Sequence, residues 1–190
     1  IAAVHLSPDG QYMAFLRPWN GTLNIWAKKT SEPFASAHLL TTEKKRPVGA
    51  FFFSRDSKQI LYVKDNDGDE NFNVYSVNPA ASVPAGADAP PSRDLTGVKG
   101  ARVQIYSVPR ADPDIIYIGL NDRDKSWHDL YKVRLSTGER TLVRKNTEKI
   151  AAWVFDEKGQ LRLAMRTTDS GETEILRVDP ASRTVWFVGV

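Results

Sequence analysis

Residues 2–27, AAVHLSPDGQYMAFLRPWNGTLNIWA, carry the pattern that decides the fold. Three apolar runs, 2–6, 12–16 and 23–27, are separated by the turn SPDG at 7–10 and by a short loop. Proline and aspartate start tight turns, and glycine accepts the positive φ that such turns need. The stretch therefore predicts three successive antiparallel strands.

The same pattern returns three more times along the chain, and each copy ends in a further short strand. The turn residues Asp9 and Asp56 lie 47 positions apart, which is within the roughly 40 to 50 residues of a propeller blade. The sequence thus predicts an all-β fold, a β-propeller with about four blades of four antiparallel strands. The predicted blades of this single domain span residues 1–42, 47–97, 101–144 and 150–190.

Strand composition and one long loop complete the predicted organisation. The first two strands of each copy are almost continuously apolar, which is typical of strands packed on both faces, whereas later strands alternate. Residues 78–92, NPAASVPAGADAPPS, are rich in alanine and proline and predict a flexible loop insertion inside the second blade. No window of the sequence has the pattern of an amphipathic helix.

Composition places the chain among globular proteins and excludes several classes of partner. It has 190 residues, of which 41% are hydrophobic and 26% charged. The 26 basic residues are scattered among 23 acidic ones, so the net charge of +3 indicates no nucleic-acid partner. No apolar run approaches the roughly 18 to 20 residues of a membrane helix, and we expect no membrane partner. The absence of cysteine excludes disulfides and leaves the compartment open.

The sequence has no recognisable catalytic constellation. The nucleophile elbow G-x-S-x-G does not occur, and the serine of Ser170-Gly171 lies in a predicted hairpin turn. The histidines His5, His38 and His128 fall in three different repeats without metal-ligand spacing, so we interpret each as a strand or loop residue. We therefore assign no catalytic, cofactor-binding or metal-binding residues and expect no cofactor.

The densest polar cluster is KDNDGDEN at residues 64–71. A calcium loop counted from Asp65 needs glycine at position six and glutamate at position twelve, but this sequence has Gly68 fourth and Ser76 twelfth. The pattern favours a connection between strands in which acidic and amide side chains accept backbone N–H bonds and Gly68 adopts a positive φ.

Two further features have ordinary structural interpretations. Trp127 lies in a charged loop, and core packing is favoured over exposure as a binding aromatic. Basic clusters at 28–29, 44–46 and 144–145 are interpreted as a solvated rim that discourages edge-to-edge aggregation. We assign no ligand to them.

Two stretches carry a family resemblance. The turn at 7–10 with the strands that follow it resembles the propeller repeat shared by TolB-like proteins and by the prolyl oligopeptidase family of serine peptidases. In the second repeat, ILYV at 60–63 leads through DGDEN at 67–71 into VYSV at 74–77. This arrangement resembles the acidic loop and following strand of the propeller in dipeptidyl aminopeptidases and acylaminoacyl peptidases.

The resemblance implies an N-terminal propeller region that filters or positions short peptide substrates for an α/β-hydrolase domain. It also implies a ring of seven or eight blades and a periplasmic or secreted location. Neither the remaining blades nor the hydrolase domain lies within these 190 residues, and the chain starts at Ile1, so we expect a fragment without a nucleophile. Its partners are then peptide substrate and the hydrolase domain of the parent enzyme.

Other functions remain open at this point. A TolB-like propeller that binds a protein partner is the main alternative, and a propeller enzyme with its site in the central channel is a third. The channel enzyme is disfavoured because the innermost strands at 48–53 and 151–155 are apolar and aromatic. If the four blades belong to a larger ring, the first and last blades each expose a face that no neighbouring blade covers. We therefore expect the isolated chain to self-associate.

Overall fold

Four separate antiparallel sheets of four strands each make up the fold. The structure, a computed structural model, describes residues 1–65, 68–179 and 185–189. In every sheet, strands that follow one another in sequence are also neighbours in space. These sheets are propeller blades, and the predicted all-β propeller class is confirmed.

The strands are numbered in chain order, and the blades follow from their pairing. The first blade contains β1 Ala2–Leu6, β2 Tyr12–Trp19, β3 Thr22–Lys29 and β4 His38–Leu39. The second contains β5 Ala50–Phe53, β6 Ile60–Lys64, β7 Asn73–Val77 and β8 Arg93–Asp94. The third contains β9 Val103–Ser107, β10 Ile115–Leu120, β11 Asp129–Arg134 and β12 Arg140–Arg144. The fourth contains β13 Ala152–Phe155, β14 Leu161–Thr167, β15 Thr173–Val178 and β16 Val185–Gly189.

The chain divides into two compact units of two blades each. Unit 1 covers Ile1–Lys99 and unit 2 covers Gly100–Val190. A short 3-10 helix, Phe34–Ser36, lies between β3 and β4. Among the described residues, no helix has the length and apolar character to cross a membrane. Whether the four blades form one domain stays a prediction.

The core of unit 1 lies between its two sheets. Ile25 on β3 and Ile60 on β6 are completely buried there, and the ring of Tyr62 is only 2% exposed. The first and second blades also meet at their inner strands, where His5 contacts Phe51 edge to face with ring centres 4.8 Å apart. Each sheet therefore buries one face against its neighbour, as sheets with an apolar side require.

The core of unit 2 is built in the same way. Leu130 on β11 and Ala164 on β14 are fully buried, and Trp153 on β13 is 3% exposed. Tyr117 and Phe155 stack with ring centres 4.4 Å apart. Apolar residues from both sheets thus contribute to one core.

The innermost strand of the first blade differs from expectation. All five residues of β1 are exposed, including Val4 at 55% and Leu6 at 58%. Its pairing with β2 is interrupted between Ala2 and His5, and Ala3 has a positive φ of 48°. The prediction that inner strands are packed on both faces is therefore wrong for β1, because only the face toward β5 meets another strand of unit 1.

A serine–aspartate pair closes the first hairpin of both blades in unit 1. The Ser7 hydroxyl donates to Asp9 over 2.5 Å and accepts the N–H of Tyr12 over 2.9 Å. In the second blade, Ser54 donates to Asp56 over 2.6 Å and accepts the N–H of Gln59 over 3.0 Å. Hydrogen bonds from Ser7 and from the Gln11 N–H hold the pKa of the Asp9 carboxyl below its usual value.

Buried polar side chains join the third strand of three blades to the segment that leaves the fourth strand. We call each such pair a latch: Asn24 with Thr41, Asn73 with Thr96, and Asp129 with Asn146. The Asn24 amide is completely buried, donates to the carbonyls of Thr22 and Glu43, and accepts the Thr41 hydroxyl and the Glu43 N–H. It thereby satisfies backbone groups that the sheet leaves without partners.

Replacing Asn24 with alanine is predicted to lower the free energy of unfolding by about 2–4 kcal/mol, because the Thr41 hydroxyl and backbone groups of Thr22 and Glu43 each lose a hydrogen bond. Urea denaturation measures the loss. Gln11→Ala, which removes an exposed amide whose side chain makes no hydrogen bond, serves as the control and should change the free energy by less than about 0.5 kcal/mol. Equal effects of the two substitutions would contradict the latch.

Candidate functional site

Unit 1 brings the acidic loop between β6 and β7 next to the connection between β4 and β5. The Lys64 ammonium lies 2.7 Å from the Glu43 carboxylate. The Arg46 guanidinium lies against Gly68, so close that an added Cβ there would meet its Nη2 at 2.8 Å. We call the surface formed by Glu43, Arg46, Lys64, Asp65 and residues 68–71 the acidic rim.

Within the acidic rim, side chains mostly stabilise their own loop. Asp65 is buried and accepts the N–H of Glu70 over 3.3 Å, and Asp69 accepts the N–H of Asn71 over 3.0 Å. Gly68 has a φ of 98°, which an alanine adopts only with strain. Asn66 and Asp67 lie outside the described residues. The described part of the loop therefore connects β6 to β7, and its own carboxylates accept its backbone N–H groups.

Two stacked tyrosines lie behind the acidic rim. The rings of Tyr62 and Tyr75 have centres 5.6 Å apart, and the Lys64 ammonium lies 4.7 Å from the centre of the Tyr75 ring. Burial and then the Asp94 carboxylate raise the pKa of Tyr75 to about 12, and burial also raises the pKa of Tyr62. Both phenols keep their protons at neutral pH and provide no base.

A second surface feature of unit 1 is a groove of about 320 Å³ between β2, β3, β4 and the start of the Ala/Pro-rich loop. Tyr12 and Val83 line it together with the ion pair of Lys29 and Glu32. The imidazole of His38 bonds the carbonyl of Pro79 over 3.0 Å through its Nε2 atom. Pro79 is buried, so the loop is attached to the first blade at this point, while its flexibility stays a prediction.

The three histidines are far apart in sequence, and each has a different neighbour. His5 contacts the Phe51 ring, and His38 contacts a carbonyl, as described above. The Nε2 atom of His128 is buried without a hydrogen-bond partner. Burial lowers the pKa of His128, and the positive charge of Arg102 lowers it further. His128 is therefore neutral at physiological pH.

Two side chains of the basic clusters are less solvated than the sequence suggested. Lys28 is only 5% exposed, and its ammonium donates to the carbonyls of Lys29 and Thr30. Arg144 binds the Glu148 carboxylate and lies over the Trp153 ring at 5.7 Å. The predicted solvated rim is wrong for Lys28 and for Arg144, whose side chains bind carbonyls or a carboxylate, but the other members of the clusters are exposed as predicted: Lys29, Lys44, Lys45, Arg46 and Lys145.

The third blade carries the most strongly charged latch. Asp129 is 2% exposed and accepts two hydrogen bonds of 2.7 Å from Arg123 and one from the N–H of Asn146. Burial acts to raise the pKa of the Asp129 carboxyl, but the bonds from Arg123 and Asn146 lower it overall. Trp127, which the sequence placed in the core, is half-buried in the adjoining loop.

Sequence reasoning missed the latches, although a signal was present. Each begins with asparagine or aspartate followed by an aliphatic and an aromatic residue: NIW at 24–26, NVY at 73–75 and DLY at 129–131. The aromatic residue in each case lies beneath a cation, with Arg17 over Trp26, Lys64 over Tyr75 and Arg140 over Tyr131. This recurring motif marks the third strand of a blade. Only the structure shows which residue the asparagine or aspartate of each motif binds.

Unit 2 has a small cleft of about 180 Å³ at the turn between β13 and β14. Tyr117 and Phe155 form its wall, and Gly159 lies at its floor with a φ of 75°. A Cβ on Gly159 would meet the Cβ of Pro109 at 2.7 Å, so close contact there requires glycine. Among residues 1–65, 68–179 and 185–189, no group of three or more acidic or histidine side chains is placed to hold a metal ion.

Comparison with known proteins identifies the class to which these features belong. No protein-family model matches the chain. It is 34% identical over 176 residues to dipeptidyl aminopeptidase BIII of Pseudoxanthomonas mexicana, a match that covers 93% of this chain and 24% of that protein. The chain thus spans about a quarter of the length of this curated relative.

Solved structures share the fold at low sequence identity. Oligopeptidase B from Leishmania major superposes with a TM-score of 0.64 at 12% identity, over 99% of this chain and 27% of that one. TolB from Acinetobacter baumannii superposes with a TM-score of 0.57 at 15% identity, over 98% of this chain and 43% of that one.

The chain is therefore a β-propeller region of the kind found in peptidases of the prolyl oligopeptidase family, with TolB-like repeats. More particularly, a homologue that it matches over most of its length is a dipeptidyl aminopeptidase, as the second repeat had indicated. The resemblance predicted from the sequence is confirmed.

The half-buried His128 is predicted to make the protein less stable as the pH falls. Because its folded pKa lies below that of the unfolded chain, the unfolded state binds the proton first, and stability decreases below about pH 6.5. Urea denaturation at about pH 7.5 and about pH 5.5 measures the decrease. His128→Gln should show a smaller decrease than the parent chain, whereas an unchanged or larger decrease would contradict the assignment.

Gly159→Ala is predicted to destabilise unit 2 more than Gly171→Ala does. Both residues have a positive φ, but only Gly159 has a neighbour within 4 Å of the added methyl group. We expect an additional loss of about 1–3 kcal/mol from this overpacking. Thermal and urea unfolding of the two variants tests the difference, and equal losses would show that Pro109 moves away freely.

Proposed function

We propose that this chain is the non-catalytic propeller portion of a serine peptidase that acts on short peptides. In this proposal it gates or positions the substrate for an α/β-hydrolase domain in another part of the same protein. The single observation that carries the proposal is the 34% identity to a dipeptidyl aminopeptidase across 93% of the chain. The propeller fold shared with oligopeptidase B agrees with it.

The contacts of the described residues support a scaffold rather than a reaction centre. The hairpin carboxylates and the latches are engaged in backbone hydrogen bonds, and the tyrosines behind the acidic rim keep their protons. Rigid sheets that present loops at their ends are a common way to position binding groups. The exposed carboxylates of the acidic rim, Asp69 and Glu70, offer negative charge to the protonated amino end of a peptide.

A TolB-like interaction propeller is the alternative from another class. The likeness to TolB is at 15% identity and concerns the fold alone. No contact or surface described above favours this alternative over the peptidase, so it serves as an outcome of the test.

The test uses the protein that contains this chain together with the sequence that follows it. We expect that protein to release dipeptides from chromogenic dipeptidyl anilides and to cleave short peptides in preference to folded proteins. The isolated 190-residue chain should show no hydrolysis. A longer protein without peptidase activity, combined with a stoichiometric and salt-resistant protein complex of this chain, would favour the TolB-like alternative.

Glu70→Gln in the active parent protein is predicted to raise KM for dipeptidyl substrates by up to about fivefold with little change in kcat, because one exposed charge contributes about 0–1 kcal/mol. The effect should decrease at high salt, since exposed charges are screened. Glu157→Gln, at an exposed glutamate in a turn of the fourth blade, is the matched control and should leave KM unchanged. If both variants raise KM equally, the acidic rim has no specific part in substrate attraction.

A further inference from the structure

The turn between the first two strands of a blade ends with a residue in the left-handed region. In the second blade this residue is Ser57, which has a φ of 65° and donates its N–H to the Ser54 carbonyl over 3.0 Å. Gly10 and Gly159 occupy the same place in the first and fourth blades, with φ of 72° and 75°. Glycine adopts this conformation without strain, whereas a serine there is uncommon and strained. The second blade therefore holds a strained residue where two other blades have glycine.

The place that Ser57 occupies is a point of contact between neighbouring blades. In unit 2, a Cβ added to the equivalent Gly159 would meet the Cβ of Pro109, in the first turn of the third blade, at 2.7 Å. In unit 1 a side chain fits there, and the Ser57 hydroxyl accepts the N–H of Asp9, in the first turn of the first blade, over 3.1 Å. Ser57 is only 7% exposed. Strained residues persist where the surrounding structure uses them, and here the serine makes a hydrogen bond between two blades that glycine cannot make.

A second hydrogen bond joins the same two blades further out. His38 is the first residue of β4 in the first blade, and its Nε2 atom bonds the carbonyl of Pro79, which follows β7 in the second blade. Since a carbonyl only accepts hydrogen bonds, the imidazole donates from Nε2. Pro79 is buried, so the bond lies at a packed contact and not at the tip of a free loop.

Both bonds lie at the same end of the blades. In a sheet of four consecutive antiparallel strands, the first turn and the connection from the third strand to the fourth lie at one end, and the second turn lies at the other. The Asp9–Ser57 bond joins the first turns, whereas the His38–Pro79 bond joins the connections to the outer strands. The boundary between the two blades is thus tied at an inner and an outer position, with the core of unit 1 beside it.

We propose that the Asp9–Ser57 and His38–Pro79 bonds fasten the first and second blades to each other at this end, so that the two blades move as one body. Separation of the blades breaks both bonds at once and exposes the core between them. In this proposal Ser57 keeps its left-handed conformation because its hydroxyl makes the inner bond. Any opening of a propeller that contains this chain then takes place at another blade boundary. The proposal is independent of the peptidase function.

Two rates, measured on the protein that contains this chain, report the two bonds separately. Hydrogen exchange of the Asp9 amide, read by mass spectrometry with residue-level fragmentation, follows the inner bond. Cleavage by elastase, which cuts after small apolar residues, follows the outer bond, because residues 80–87 just beyond Pro79 contain four alanines. When opening and closing are fast, both rates are proportional to the population of the open form.

Ser57→Ala removes only the hydroxyl and should speed Asp9 exchange by about fivefold, which corresponds to the loss of one hydrogen bond. It should also speed elastase cleavage of residues 80–87 by a similar factor, although position 57 lies outside that segment. Ser31→Ala, at an exposed serine in the turn after β3, is the matched control and should change neither rate.

His38→Leu tests the coupling in the other direction. It should speed elastase cleavage of residues 80–87 by about fivefold and also speed Asp9 exchange, because the weakened outer bond lets the same boundary open. His38→Gln has a side-chain N–H that can donate to the Pro79 carbonyl and should behave like the parent protein.

Three results would overturn the proposal. The first is that each substitution changes only the rate at its own bond, since the two bonds would then act locally and not hold one boundary. The second is equal behaviour of His38→Leu and His38→Gln, since the hydrogen bond to Pro79 would then have no part in holding the blades. The third is equal acceleration of cleavage at sites outside residues 80–87, which would mean that the whole chain unfolds. Far-ultraviolet circular dichroism confirms that each variant is folded.

Discussion

Burial of one sheet face against the neighbouring sheet is the interaction on which the rest of this structure depends. A sheet with an apolar side must bury that side against another element, and each unit does so by placing two such sheets against each other. In unit 1 the completely buried Ile25 and Ile60 come from different blades, and in unit 2 Leu130 and Ala164 do. Because each blade must present the same apolar side to its neighbour, the sequence pattern repeats about every 47 residues.

Packing of the faces leaves polar backbone groups where the chain passes from one blade to the next, and the latches satisfy them. Asn24, Asn73 and Asp129 occupy the same place near the start of the third strand, with partners 17 to 23 residues later. The third blade replaces the amide by a carboxylate and adds Arg123, which compensates the buried charge. These bonds position the inter-blade segments, including the one that carries Glu43 and Arg46 to the acidic rim.

This arrangement leaves few side chains of the sheets available for recognition. The side chains between the sheets are committed to packing, and most polar groups near the strands are committed to backbone hydrogen bonds. What remains for recognition in unit 1 is the acidic rim and the groove beside His38. A propeller region of a peptidase can therefore contribute surfaces to a substrate or a partner while the chemistry takes place elsewhere.

The sequence alone determined the fold class, because alternating apolar runs and the turns at Asp9 and Asp56 are local signals that recur with a blade-length period. It also showed the peptidase resemblance through the second repeat. Only the tertiary structure decided which polar residues form latches, since Asn24 and Thr41 meet through strand pairing and not through a fixed spacing. It likewise showed that Lys28 is buried and that Val4 and Leu6 of β1 are exposed, because burial depends on which other strands lie against a residue and not on the residue's own hydrophobicity.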